Sequence, residues 1–139
     1  MSRASRTAPC SSREASKRAA IALAYLETAE AVMAERPELR EEHLSVAAGA
    51  AVLAGVAASD AICGRRLGKI HRGEDHRGAI DLLRSAIPDG REMAAKLARL
   101  LDTKDEAHYG IRIVSRRRAS DALRWARALV ERARRETER

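Results

Sequence analysis

The sequence contains few aromatic residues and few cysteines, and both shortages restrict the possible folds. Only 2% of its 139 residues are aromatic, and phenylalanine is absent. The core must therefore be built from Ala, Leu, Ile and Val, which favours closely packed helices over a sheet. The two cysteines, Cys10 and Cys63, lie far apart in the chain, so we expect neither a disulfide framework nor a CxxC metal site.

The sequence also lacks a hydrophobic run long enough to span a membrane. Its most apolar stretch, residues 46–58, is rich in Ala and Gly and is closely followed by Asp60. A run of that length is typical of a buried core helix. The basic N-terminus is not closely followed by a hydrophobic segment, as it would be in a signal peptide. These features predict a cytoplasmic protein that does not associate with membranes.

Charged residues are abundant, and the positive ones concentrate at the two ends of the chain. The net charge is +7, with a balance of +4 in residues 1–18, −3 in residues 19–111 and +6 in residues 112–139. Ends rich in arginine favour a polyanionic partner such as RNA, DNA or an acidic protein. They are equally typical of solvated helix faces. The composition leaves both interpretations open.

Apolar residues recur at helical spacing in four long segments and one short one. The predicted helices cover about 11–35, 38–67, 76–86, 90–109 and 116–136. Residues suited to cap helix N-termini stand before most of these segments, namely Ser11, Asp75, Asp89 and Ser115. The sequence therefore predicts an all-α fold, an antiparallel four-helix bundle with an additional short helix. This single domain covers residues 11–139 and follows a flexible basic arm of residues 1–10.

Residues 104–110 gather the chemically most distinctive side chains of the chain. Lys104, His108 and Tyr109 fall within six positions of a sequence that has four His and two Tyr. At helical spacing Lys104 and His108 share a face, one turn apart. A cation beside an imidazole suits phosphate binding or phosphodiester chemistry. It also suits an ordinary polar helix end, with both rings packed on the next helix.

The order of these parts resembles the HEPN domain family, named for higher eukaryotes and prokaryotes nucleotide-binding. A central Ala-rich helix is followed by a basic loop with His, a short helix, the segment 104–110, and a last helix opened by Val114 and Ser115. The resemblance covers about residues 15–135 and is nearest to small stand-alone HEPN proteins of the actinobacterial type. It implies a bundle of HEPN type that pairs as a homodimer.

In active HEPN proteins an Arg, and a His four to six residues further on, meet their copies across the dimer and cleave RNA without metal. Some members are toxins that a nucleotidyltransferase-type antitoxin neutralises, and others only bind. Here Lys104 stands where the family has Arg, and Arg112 follows His108 by four residues. The resemblance implies that His108 acts as general base or acid. Lys104 or Arg112 would stabilise charge on phosphorus, and Tyr109 would orient the phosphate or stack a base.

Other polar residues are expected to support this site. Asp60 lies within an apolar helix, so if it is buried it needs a partner, either an Arg, His76 or His108. An equal alternative is a position near the helix end, partly exposed or bonded to a loop backbone. Cations in the basic loop of residues 64–73 and at the start of the last helix are candidates for RNA binding, namely Arg65, Arg66, Lys69, Arg72, Arg116, Arg117 and Arg118. Arg66 and His71 also match Arg-x4-His, but they lie in a different element, and cations at a helix C-terminus suit its dipole.

Two hypotheses follow for the function. The first is a metal-independent endoribonuclease or toxin-like protein that acts as a homodimer, and the second is a non-catalytic HEPN dimer that binds RNA, a nucleotide or a partner protein. A DNA-binding helical protein is a third and weaker idea, because no helix-turn-helix signature is present. No cofactor is expected. The spacing of His71, Asp75 and His76 matches no metal signature.

Overall fold

A computed structural model of the protein describes residues 6–34, 38–108 and 114–138, and the side chains of all of these except 105–108. In these ranges the chain forms five helices and a two-stranded ribbon. In chain order the elements are β1 (Thr7–Pro9), α1 (Ser12–Ala34), α2 (Glu41–Leu67), β2 (Lys69–His71), α3 (His76–Ala86), α4 (Gly90–His108) and α5 (Arg116–Thr137). The predicted all-α class is confirmed, and the small ribbon is an addition to it.

The helices begin largely where the sequence places their caps. Ser11 and Glu14 bond reciprocally, each side chain accepting from the other residue's backbone N–H, at 3.0 and 3.1 Å. The side chain of Asp75 accepts from the N–H of Arg77, and that of Ser115 from the N–H of Arg118. Asp89 differs from the prediction. Its carboxylate accepts two bonds from Arg132 instead of serving as the N-terminal cap of α4.

The second helix starts later than predicted, at Glu41 rather than at about residue 38. Arg40 has extended backbone angles, with φ −91° and ψ 166°, and therefore stands outside the helix. Its N–H donates to Nδ1 of His43, which satisfies one backbone group at this end of α2. No cap residue of the favoured types stands before Glu41, so the sequence carries no local signal for this helix start.

The core is built around α2, which contacts every other helix of the described structure. Residues 44–59 include no charged side chain, and most of this stretch is buried. Small residues let the neighbouring helices approach closely. A Cβ atom at Gly55, for example, would overlap Leu100 of α4 and touch Leu129 of α5. In contrast to the expectation from the sequence, α2 is long and apolar enough to cross a membrane by length and composition, although 72% of its most apolar window is buried inside the structure.

Contacts along α2 fix the directions of the other long helices. Arg18 near the start of α1 meets Asp60 near the end of α2, so the two helices are antiparallel. Arg66 at the end of α2 meets Glu136 at the end of α5, so those two helices run in the same direction. The beginning of α4 lies at this same end, because Asp89 binds Arg132. Successive long helices therefore alternate in direction.

The N-terminal segment is partly built into the fold. The sequence predicts a flexible arm over residues 1–10, but Thr7–Pro9 pair antiparallel with Lys69–His71. The side chain of Cys10 is 5% exposed, and its Sγ lies where a Cβ atom on Gly64 would collide with it. The basic loop expected at residues 64–73 is correspondingly shorter, because α2 continues to Leu67 and β2 follows. Three-residue strands leave no alternating pattern that a sequence could reveal.

An ion-pair network joins the ends of α2 and α5 to the start of α4. The Glu136 side chain is 4% exposed and binds two guanidinium groups, those of Arg66 and Arg132. The hydrogen bond from Arg66 is the main cause that lowers the pKa of Glu136 to about 2. Arg132 also binds Asp89, and this lowers the pKa of that carboxyl. Arg66 was predicted to bind RNA, but its guanidinium is committed to Glu136.

Candidate functional site

A cavity of about 600 Å³ opens between α2, β2, α3 and α4. This volume falls in the range of small-ligand sites, about 300–1,000 Å³. One part of its wall is apolar and the other carries ionisable groups. The lining residues are Val56, Ser59, Asp60, His71, Gly73, Glu74, Asp75, His76, Ala79, Leu97, Leu101 and Lys104.

Asp60 contributes a largely buried carboxylate to this cavity. It lies on α2, and its Oδ2 accepts a hydrogen bond of 2.7 Å from Nη2 of Arg18. The Arg18 side chain is 38% exposed, whereas that of Asp60 is 16% exposed. Burial raises the pKa of the Asp60 carboxyl above its ordinary value, while Arg18 and, to a smaller extent, His71 act in the opposite direction. The expected arginine partner of Asp60 is therefore Arg18 of α1.

His71 is held at the cavity wall by the ribbon. It pairs with Thr7, and the next residue, Arg72, donates its N–H to the carbonyl of Arg6 at 2.7 Å. Both ring nitrogens of His71 are buried, and neither has a hydrogen-bond partner within the described ranges. Buried polar groups nearly always have a partner, so the imidazole of His71, unpaired among the described residues, sets this part of the cavity wall apart.

The chain turns at Gly73, and this turn brings further groups to the cavity. Gly73 has a φ of +138°, a conformation that favours glycine. It is followed by Glu74 and Asp75, and Asp75 caps α3, whose first residue is His76. All four residues line the cavity. The short helix thus supplies an imidazole and its own N-terminus to the site, together with two carboxylates.

The fourth helix contributes both an apolar wall and a cation. Leu97, Leu101 and Lys104 succeed one another at spacings of four and three residues, so they share one face of α4. That face lines the cavity, and Lys104 is half-buried there. The cavity therefore combines a cation, two imidazoles and three carboxylates beside an apolar surface. Such a set can bind an anion and transfer protons.

The structure brings together part of the predicted site. Lys104, Asp60 and His76 all line the cavity, although each was singled out separately along the sequence. His108 is the last residue of α4, one turn beyond Lys104, and its side chain lies outside the described set. Tyr109 and Arg112 also lie outside the described residues. The site predicted from the sequence does not include His71. The Arg-x4-His match that contains it is interpreted there as cations that suit the dipole at a helix C-terminus.

The predicted RNA-binding cations differ in their surroundings. Lys69 and Arg72 are exposed beside the ribbon, and Arg65 is half-buried. Arg116 and Arg117 are exposed in the first turn of α5. The guanidinium of Arg118 lies over the ring of Trp125, 6.0 Å from its centre, and Arg99 of α4 lies over the same ring at 5.7 Å. Arg99 thus connects α4 to α5 through Trp125, whereas Arg118 packs on the same ring from within α5.

The ligands of a metal ion do not converge in the described part of the chain. No group of three His, Cys, Asp or Glu side chains there has the arrangement to hold a metal ion. The carboxylates and imidazoles of the cavity instead have the separate roles described above. Comparisons with protein-family models and with curated proteins give no match to this chain. The function must therefore be inferred from the cavity and its surroundings.

Proposed function

We propose that this protein acts on RNA as a homodimer of HEPN type, and that the cavity binds and cleaves a phosphodiester without a metal ion. The observation that carries this proposal is that Lys104 shares one cavity with Asp60, His71 and His76. Ribonucleotide cleavage requires a cation for the phosphate and groups that exchange protons at neutral pH. Exposed cations beside the ribbon, such as Lys69 and Arg72, would hold the flanking phosphates.

The proposed reaction is an internal transesterification. A general base removes the proton from a ribose 2′-hydroxyl, and the 2′-oxygen then bonds to phosphorus. The bond between phosphorus and the 5′-oxygen breaks, and that oxygen takes a proton from a general acid. The products are a 2′,3′-cyclic phosphate and a 5′-hydroxyl. Lys104 would neutralise the charge that develops on the phosphoryl oxygens.

The imidazoles are the candidates for proton transfer. His71 has no protein partner on either nitrogen within the described ranges, and it lies close enough to Asp60 to lower the pKa of that carboxyl. His76 stands at the first turn of α3 on the same cavity. His108 follows Lys104 by one turn of α4 and is the base that the family resemblance implies. Single substitutions can decide among these three residues.

The HEPN assignment is supported by the order of the elements. Four long helices alternate in direction, the short α3 stands between the second and third of them, and Ser115 caps the last. This is the order that the resemblance implies. The pairing of two chains would then place the ends of both α4 helices within reach of one RNA strand.

A second candidate function is binding without cleavage. Among its described lining residues the cavity holds three carboxylates, Asp60, Glu74 and Asp75, and one cation, Lys104. Negative groups oppose the charge that accumulates in the transition state of phosphodiester cleavage. They instead favour a ligand that also offers hydrogen-bond donors, such as a base or an amine. In that case His108→Ala and His71→Ala would leave RNA binding intact, and no cleavage would be seen.

The direct experiment is cleavage of labelled single-stranded RNA by the purified protein in EDTA. We expect loss of a catalytic imidazole to slow cleavage by about 10²–10⁴-fold, so His71→Ala, His76→Ala and His108→Ala are compared with the wild type. His43→Ala is the matched control, because His43 bonds Arg40 at the start of α2 and does not line the cavity. Circular dichroism checks that each variant is folded.

The outcomes separate the two functions. Loss of cleavage with His71→Ala but not with His43→Ala places the reaction in the cavity, whereas loss with His108→Ala alone places it at the end of α4. Lys104→Ala should weaken RNA binding in either case. A wild-type protein that neither cleaves RNA nor binds it more tightly than duplex DNA would contradict the proposal.

A further inference from the structure

One side of the helix pair α1 and α2 exposes an apolar surface. Among the described residues, four of the five large hydrophobic side chains that are exposed lie on these helices between residues 21 and 53. Ile21 is 40% and Tyr25 37% exposed on α1, while Val46 is 57% and Leu53 50% exposed on α2. We call this surface the α1–α2 face. Single exposed apolar residues are common on soluble proteins, but contiguous ones mark an interaction surface.

The ion pair between Arg18 and Asp60 shows that these residues share one side of the molecule. The two helices are antiparallel, so Tyr25, seven residues after Arg18, lies opposite Leu53, seven residues before Asp60. Val46 lies a further seven residues before Leu53, on the same side of α2. Residues seven apart lie nearly above one another on a helix. The exposed apolar side chains therefore form one continuous strip that starts at the Arg18–Asp60 pair.

Gly49 lies in the middle of this strip and opens it to another backbone. A Cβ atom at this position would have no atom of the described residues within 4 Å. Glycine in the interior of a helix is unfavourable relative to alanine, and the described part of the chain gives no packing reason for it here, in contrast to Gly55, which makes room for Leu100. Small residues let two helices approach closely, so a helix of another molecule packed at Gly49 would explain this glycine.

The spacing of the strip is compatible with a partner of the same sequence. If two α2 helices cross antiparallel with a twofold axis near Gly49 and Ala50, Val46 of each chain meets Leu53 of the other. Isologous contacts require this kind of self-complementarity, in which residue i contacts j and j contacts i. No charge is buried by this crossing, because residues 44–59 carry none. The apolar strip of one copy is therefore complementary to the same strip of a second copy.

The size of the α1–α2 face also fits a second copy. Two packed helices form a face about 20 Å wide, and the apolar strip from Val46 to Val56 is about 15 Å long. These dimensions give the apolar strip an area of about 300 Å², so the polar residues around it on α1 and α2 must supply the rest of the surface of about 800 Å² per partner that a standard interface buries. Val56 belongs to both the strip and the cavity wall, so the second copy would cover the surface beside the cavity.

We infer that the α1–α2 face is the homodimer interface of this protein, with Gly49 at the crossing of the two α2 helices. This inference rests on the homodimer of the proposed function and gives it a location. It does not depend on RNA cleavage. The mass of the protein in solution is therefore the readout, and RNA activity is measured separately.

Light scattering coupled to size-exclusion chromatography tests the interface. The wild type should have twice the chain mass of 15.2 kDa. Val46→Glu and Leu53→Glu should each shift the protein to the monomer, because a symmetric dimer would bury two added carboxylates. Leu67→Glu is the matched control. It makes the same change at a side chain that is 37% exposed but lies beyond the stretch that the partner's α2 can reach.

Substitution of Gly49 separates the interface from a general loss of folding. Gly49→Leu should abolish the dimer while raising the melting temperature of the monomer, because the site is open and leucine favours the helix. A monomeric wild type would overturn both the interface and the homodimer. A dimer that survives Val46→Glu, Leu53→Glu and Gly49→Leu would overturn the interface alone. Loss of RNA cleavage with the dimer intact would count against the function only.

Discussion

The buried carboxylate of Glu136 allows a quantitative prediction about what holds the helix ends together. Its side chain is 4% exposed and is bound by Arg66 and Arg132, at the point where α2 and α5 end and α4 begins. The change Glu136→Gln keeps the shape of the side chain and removes its charge. It leaves two guanidinium groups without their shared anion, of which Arg132 is 13% exposed. Removal of one partner of a buried ion pair usually costs about 3–5 kcal/mol.

The pKa of Glu136 gives the magnitude independently. Hydrogen bonds from Arg66 and then Arg132 lower it from 4.5 to about 2, which corresponds to about 3 kcal/mol at neutral pH. The Arg66 side chain is 36% exposed, so solvent screens part of its interaction. We therefore expect Glu136→Gln to lower the free energy of unfolding at pH 7 by about 2–3 kcal/mol.

The sign of the pH dependence follows from the lowered pKa. The charged carboxylate is favoured in the folded protein, so its contribution is fully present above about pH 5.5. It declines as the pH falls through the interval between 4.5 and about 2, and below that interval it is lost. The wild type should therefore lose more stability than Glu136→Gln over this acidic range, and the two proteins should converge near pH 2.

Urea denaturation followed by circular dichroism at pH 7 and pH 3 measures this difference. Glu138→Gln is the matched control, because Glu138 is 67% exposed and its carboxylate lies 3.9 Å from Arg134. Exposed pairs of this kind contribute about 0–1 kcal/mol. If both variants were equally stable at pH 7, or if the deficit of Glu136→Gln were the same at pH 3, the role assigned to the buried pair would be wrong.

Three further predictions concern the helix ends and the buried thiol. Gly68 has a φ of +69° with open space around it, so Gly68→Ala should lower the free energy of unfolding by about 1 kcal/mol through backbone strain alone, measured by urea denaturation. Ser115→Ala removes the cap of α5 and should cost about 1 kcal/mol in the same assay, whereas Ser115→Asp should restore most of it. Burial raises the pKa of the Cys63 thiol to about 12, so iodoacetamide at pH 8 should leave Cys63 unmodified in the folded protein and modify it in urea. Rapid modification under native conditions would contradict that burial.

The elements with strong local signals were predicted well from the sequence. The bounds predicted for the third helix, residues 76–86, agree with the structure because Asp75 caps one end and Pro88 stands just beyond the other. The last helix likewise begins after Ser115. The ribbon was missed because it depends on a contact between residues 7–9 and 69–71, and three-residue strands carry no periodic signal. Such non-local pairing is decided by the tertiary fold.

The candidate site could be predicted only one residue at a time. Lys104, Asp60 and His76 are recognisable because a lysine beside a histidine, and an aspartate in an apolar helix, are unusual. Their convergence on one cavity depends on how α2, α3 and α4 pack. His71 is part of an Arg-x4-His match in the sequence, but its place at the cavity depends on the ribbon, which the sequence does not predict. The sequence limits the partner of Asp60 to an Arg, His76 or His108. The antiparallel packing of α1 on α2 brings Arg18 to it.

The most direct test of the cavity as an RNA site is the NMR spectrum of its histidines. The ¹⁵N-labelled protein is titrated with a short single-stranded oligoribonucleotide, and the imidazole resonances of His71 and His43 are followed, with Lys104→Ala as the binding-impaired comparison. We predict that the His71 signals shift on binding, that the His43 signals do not, and that Lys104→Ala weakens the titration. RNA binding that leaves the His71 signals unchanged would contradict the assignment of this cavity.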